Sequence, residues 1–161
     1  MEPRWLNERE DRAWRGFQRM RTALTAHLAR QLTLECGLTE ADYAVLVTVS
    51  EAPGHRKRSR DLGQALGWDR SRLSHQISRM ETRGSIRREP CPDDARGFDV
   101  VLTDAGLAAI EAAAPVHLAA VRHCFVDLLT PSQLDVLGDI AETVTRHLAA
   151  EHAAGEEAER S

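Results

Sequence analysis

The stretch that decides the fold runs from Ser59 to Leu102 and reads SRDLGQALGWDRSRLSHQISRMETRGSIRREPCPDDARGFDVVL. Ser59 is placed to cap a short helix over Asp61 to Leu66, and Gly67-Trp68 makes a turn. Asp69 then caps a longer helix reaching Arg83, with Trp68 and Leu73 spaced as a hydrophobic staple and Gly84 at the position after the helix end. Two helices joined by a tight glycine turn form a helix-turn-helix. Beyond Gly84, Ile86 to Pro90 and Phe98 to Leu102 read as short extended runs. The intervening CPDDARG carries the Pro, Asp and Gly of a turn, so the pair is predicted to form a β-hairpin wing.

The second helix of this pair has two unlike faces. At about 100° per residue with Leu73 as origin, Ile77 falls at about 40° and Met80 at about −20°, a narrow apolar stripe. The opposite arc holds Ser71, Ser74, His75, Ser78, Arg79 and Thr82, with Arg70 and Arg72 at its start, and it contains no acid. Small hydroxyls with Arg and His can approach base edges closely and donate to phosphates. A solvated helix face has the same composition, and it is the preceding helix, the glycine turn and the wing that favour a nucleic-acid surface. In the wing, Asp94-Ala95-Arg96 puts an arginine at a loop tip, where Asp94 would steer a guanidinium entering a narrow minor groove.

On either side of this segment the pattern is helical. Residues 8 to 34 contain no Pro, and Phe17, Met20, Leu24, Leu28 and Leu32 recur every three or four positions, which predicts one long amphipathic helix. Thr39 is placed to cap a second helix running to about Ala52, with Leu38 stapled onto Tyr43 and Pro53-Gly54 as the stop. From Thr103 a further helix carries Leu107, Ile110, Ala114, Leu118, Val121, Phe125 and Leu128, with a kink expected at Pro115. The last, from Ser132 to about Ala150, carries Leu134, Leu137, Ile140, Val144 and Leu148. Residues 154–161 have the composition of a disordered tail.

At 161 residues the chain can bury a core without staples, and three cysteines, Cys36, Cys91 and Cys124, match no disulfide framework. The charged start, MEPRWLNEREDR, and the short apolar runs predict a cytoplasmic chain with no signal peptide and no membrane partner. The net charge of −4 argues against nucleic acid only until it is divided along the chain. From Arg56 to Asp99, eleven Lys and Arg stand against seven Asp and Glu, a local +4. The remainder then has ten basic and eighteen acidic residues, or −8. A basic centre lies between acidic flanks.

These features together resemble the MarR (multiple antibiotic resistance regulator) family of bacterial transcription factors. The resemblance covers nearly the whole chain, and its most specific part is Asp94-Ala95-Arg96 followed by Val101-Leu102-Thr103-Asp104-Ala105-Gly106. It implies a mainly α fold with a small β-hairpin wing: a winged helix-turn-helix lobe over 39–102, with dimerisation helices in 1–38 and 103–153. It also implies that Arg70, Ser71, Arg72, Ser74, His75 and Arg79 face the major groove of double-stranded DNA, with Arg96 in the minor groove beside Asp94. The expected function is that of an effector-responsive repressor, a homodimer on a pseudo-palindromic operator, with half-sites about one helical turn apart. One departure is Met80-Glu81-Thr82-Arg83, which stands where relatives commonly carry lysines. Apolar stripes on the first and last helices exceed what one small lobe can cover, which independently favours a second copy.

The resemblance further implies a small aromatic or phenolic effector in a cleft between the lobe and the dimer helices. Trp5, Trp14, Phe17 and Arg21 are the residues that would line it, although core packing explains Trp14 and Phe17 as well. Some relatives sense oxidants; Cys36 lies just past the first helix and Cys91 in the wing, but no neighbouring pattern predicts a lowered thiol pKa. His117, His123 and Cys124 share one helix and His147 and His152 another, without the spacing of two ligands on one face, so no metal or other cofactor is expected. No catalytic residue is assigned, because no phosphate loop, nucleophile elbow or HExxH is present. A winged-helix module for protein interaction and a cysteine-based redox regulator are the competing readings.

Overall fold

The computed structural model describes residues 3–91 and 94–159, with backbone alone for 94–96, 152, 153 and 156–159. The order is α1 (Glu8–Gln31), a π turn (Leu32–Cys36), α2 (Glu40–Ser50), β1 (Arg56–Arg58), α3 (Ser59–Leu66), α4 (Arg70–Thr82), β2 (Ile86–Cys91), β3 (Asp94–Leu102), α5 (Asp104–Cys124) and α6 (Pro131–Glu159). The fold is mainly α with one small antiparallel sheet, ordered β1-β3-β2. By contacts the chain divides into two compact units, Met1–Val121 and Arg122–Ser161.

In the first unit, a core gathers the inward residues of α2, α3, α4, β2, β3 and α5. Val45, Leu46 and Val49 of α2 meet Leu62 of α3, the Leu73-Ile77-Met80 stripe of α4, Ile86, Val100, Leu102 and Ile110. The helix ends follow local chemistry. Asn7 and Glu10 form a reciprocal capping box at α1, and Thr39 and Asp42 form another at α2. Gly67 and Gly84 take left-handed φ of 63° and 75°, ending α3 and α4 where a side chain would be strained.

Several boundaries differ from the sequence reading. The first helix ends in a π turn that reaches Cys36, rather than continuing as regular α-helix to residue 34. Ser59 is not the cap of α3; the helix begins at Ser59 itself, because β1 runs straight into it and makes no side-chain cap. β1 was not anticipated, since Arg56-Lys57-Arg58 carries no alternating apolar signal, and its pairing with Val101, Val100 and Asp99 places it. The wing strands are longer than expected, with Cys91 already opposite Asp94 after a slip from the Pro90–Phe98 pair. Pro90 is tolerated because β2 is an edge strand and needs no amide there.

Gly106 sits where α5 begins, and a β-carbon there would lie 1.9 Å from the Ser85 carbonyl oxygen. Thr103 Oγ1 also donates to the Gly84 carbonyl at 2.6 Å, so the start of α5 is riveted to the turn between α4 and β2. α5 runs through Pro115, whose missing amide leaves the Glu111 carbonyl without its usual donor. Ala113 rather than Ala114 is buried from this helix, which ends at Cys124 instead of Leu128. The stretch Asp104–Leu128 is long and apolar enough to cross a bilayer by composition alone, but Gly106, Ile110 and Ala113 are buried within the protein.

In the second unit, Thr130 and Gln133 exchange hydrogen bonds around Pro131 and start α6. The helix continues to Glu159, past its expected end and through residues 154–159, which composition had marked as disordered. Ala and Glu are strong helix formers, and Gly155 costs only about 1 kcal/mol.

Candidate nucleic-acid interface

The exposed face of α4 is built from the inside outward. Leu73, Gln76, Ile77 and Met80 are buried, and this fixes the helix's rotation about its axis. Arg70, Ser71, Arg72, Ser74, His75 and Arg79 consequently all stand exposed on the other side. Asp69 caps the helix by accepting from the Arg72 amide at 2.9 Å, a contact worth about 1 kcal/mol. The Arg72 guanidinium lies 4.5 Å over the Trp68 ring, which orients it at the helix start. A shallow groove along the helix is lined by Arg70, Ser71, Ser74, His75 and Ser78, and it continues beside α3 and β3 past Arg60, Trp68 and Phe98.

Ser78 differs from its neighbours on this arc. Its hydroxyl donates to the Ser74 carbonyl at 3.0 Å and accepts from Arg88 of β2 at 2.6 Å, so both roles are used within the protein. The side chains of Asp94 and Arg96 lie outside the described residues; the backbone places both at the start of β3, near the wing tip.

A buried carboxylate holds α4 against α2. Asp42, only 2% exposed, accepts from Gln76 Nε2 at 2.6 Å and from the Arg83 guanidinium, while its second oxygen takes the Thr39 amide at 3.1 Å. Burial pushes its pKa up, but the hydrogen bonds from Thr39 and the Arg83 charge outweigh that and leave it below the ordinary carboxylate value. Sequence reasoning passed over Asp42 and Gln76. The Thr-x-x-Asp spacing of 39 and 42 is a readable capping signal, and Gln76 lies one turn from Leu73 at the edge of the apolar stripe. Glu81 and Arg88 were also missed, because their pairing joins a helix to a strand that only the fold brings together.

The residues suggested for an effector cleft sit on or before α1. Trp14 and Phe17 stack at 6.0 Å and Arg21 lies 6.0 Å over Phe17, whereas Trp5 is 81% exposed and precedes the helix. Trp14 and Phe17 are about half exposed, so they are not core residues of the protomer. None of the three cysteines is in a disulfide, and Cys91 is buried. Among the described residues, no three His, Cys, Asp or Glu side chains gather as a metal site. His117 packs its ring 4.4 Å from Tyr43, and burial lowers its pKa.

The sequence model of the MarR family matches residues 37–97, from the end of the π turn to the wing. The transcriptional regulator HosA of Escherichia coli O111:H- is 32% identical over 102 residues, 63% of this chain and 74% of that protein. The crystal structure of AbsC, a MarR family transcriptional regulator from Streptomyces coelicolor, superposes with a TM-score of 0.88 at 42% identity, over 92% of this chain and 99% of that one. Sco3205, a MarR family regulator of the same organism solved in complex with DNA, gives 0.88 at 41% identity, over 91% and 92% of the two chains. With this fold and with solved relatives matched over 99% and 92% of their length, the chain belongs to the MarR family, a family of DNA-binding transcriptional regulators and not of enzymes.

Proposed function

We propose that the protein is a homodimeric repressor that binds a pseudo-palindromic operator and leaves it when a small aromatic or phenolic effector is bound. The observation that carries the DNA reading is the exposed face of α4 beside the wing, where the one acid of the helix, Glu81, is paired with Arg88. In this reading Arg70, Ser71, Arg72, Ser74, His75 and Arg79 enter the major groove, and Arg96, steered by Asp94, enters the adjacent minor groove. The DNA complex formed by Sco3205 supports the same use of the lobe here.

Residues 39–102 form the DNA-binding lobe, and 1–38 with 103–153 supply the dimer helices. Met20, Val136, Ile140, Val144 and Leu148 are each at least 41% exposed in the protomer, a cost that a second copy would remove. The effector would act in the cytoplasm, near Trp5, Trp14, Phe17 and Arg21. It shifts the protein off DNA only if it binds the DNA-incompetent spacing of the two lobes more tightly than the competent one.

The test is recovery and sequencing of chromosomal fragments bound in the cell. Pseudo-palindromic sites with half-sites about 34 Å apart support the reading, and no enrichment over background sinks it. Screening aromatic acids and phenols against the recovered operator then addresses the effector: a compound that lowers operator affinity supports it.

A further inference from the structure

Arg88 of β2 bonds to α4 through both its backbone and its side chain. It lies on β2, the outer strand of the sheet, where an amide facing away from β3 has no strand partner. That amide donates to Glu81 Oε1 at 3.2 Å. The guanidinium then returns to the same helix: one terminal nitrogen donates to Ser78 Oγ at 2.6 Å, and Nε lies 3.4 Å from Glu81 Oε2. Its central carbon Cζ lies 4.9 Å from the centre of the Phe98 ring of β3. Ser78 and Glu81 are three residues apart and share one edge of α4, so a single side chain ties both wing strands to the recognition helix.

We propose that Arg88 is a positioning residue for DNA recognition: it sets the angle between α4 and the wing, and so the match to two neighbouring grooves. This rests on the DNA-binding reading above. The chemistry favours positioning over direct contact. The charge is already paired with Glu81, the side chain is one-third exposed, and the guanidinium lies over an aromatic ring while one of its nitrogens reaches Ser78, a set of contacts that a lysine ammonium cannot reproduce. Glu81, the one acid on this edge of the recognition helix, thereby acquires a purpose and is neutralised beside the duplex.

The experiment is a double-mutant cycle of Arg88→Ala and Ser78→Ala, with Arg88→Lys alongside. Affinity is measured as a function of salt for a duplex selected by the wild-type protein from a random-sequence pool, and melting is followed in parallel. Arg88→Ala is expected to weaken binding on the order of tenfold. Ser78→Ala should weaken it less, the double variant should be no worse than Arg88→Ala alone, and Arg88→Lys should fail to restore binding. The slope of log affinity against log salt should stay at the wild-type value. A slope shallower by about 0.9 in Arg88→Ala would mean that Arg88 touches a phosphate itself, and would overturn the proposal. Additive effects, or wild-type affinity in Arg88→Ala, would also overturn it. A wild-type protein that selects no duplex would instead remove the DNA reading on which it stands.

Discussion

Asp42 shows how much one side chain can organise. Its carboxylate caps α2 and holds Gln76 of α4 and Arg83 at the end of that helix, so its removal leaves a buried amide unpaired. Asp42→Ala is expected to cost about 2–3 kcal/mol, at the low side for a buried pair because Arg83 is half exposed and can rehydrate. The carboxylate's pKa is lowered in the folded state, so its stabilisation is complete above the unfolded value of about 3.9 and is lost as pH falls through the folded one. The difference in melting temperature between wild type and Asp42→Asn should therefore be largest near neutral pH and shrink below about pH 3.9. His117, whose burial lowers its pKa, adds an earlier decline that begins as pH drops below about 6.5. On the exposed face of α4, Arg79→Ala should weaken DNA binding by about 1–3 kcal/mol without moving the melting temperature, because the side chain is exposed. Equal affinity for both proteins would remove Arg79 from the interface.

At the scale of elements, the joint between α5 and the α4–β2 turn leaves no room for a side chain at Gly106. Gly106→Ala would drive a β-carbon into the Ser85 carbonyl, and is expected to cost about 1–3 kcal/mol through displacement of the α5 start. A thermal melt reads this directly, and an unchanged midpoint would mean that the turn gives way freely. The helices were legible in the sequence because each carried its own signal: the Leu73-Ile77-Met80 stripe, the Asp69 cap and the glycines at 67 and 84. β1 was not, because three basic residues become a strand only when β3 offers its edge. The same holds at the site. The outward residues of α4 followed from periodicity, whereas Arg88, Glu81 and Gln76 gain their roles from partners on other elements. Ser78 was read as part of the DNA-facing arc, and its position is on that arc, but its hydroxyl is taken by Ser74 and Arg88.

For the whole molecule, a total charge of −4 conceals a +4 segment that contains α4 and most of the wing between flanks carrying −8. The exposed large apolar residues lie on the flanks, from Trp5 to Leu34 and from Leu118 to Leu148. Ile140→Asp, at a position 55% exposed in the protomer, should shift sedimentation from dimer to monomer while the lobe keeps its melting transition. A dimer that survives this change would place the interface elsewhere. Most direct is the affinity of the wild-type protein and Arg79→Ala for the selected duplex, followed from low to high salt. The wild-type affinity should fall linearly on logarithmic axes, with a slope of about −0.9 for each phosphate neutralised, and Arg79→Ala should bind more weakly throughout. An affinity indifferent to salt, or the same in both proteins, would contradict a basic lobe that grips DNA through α4.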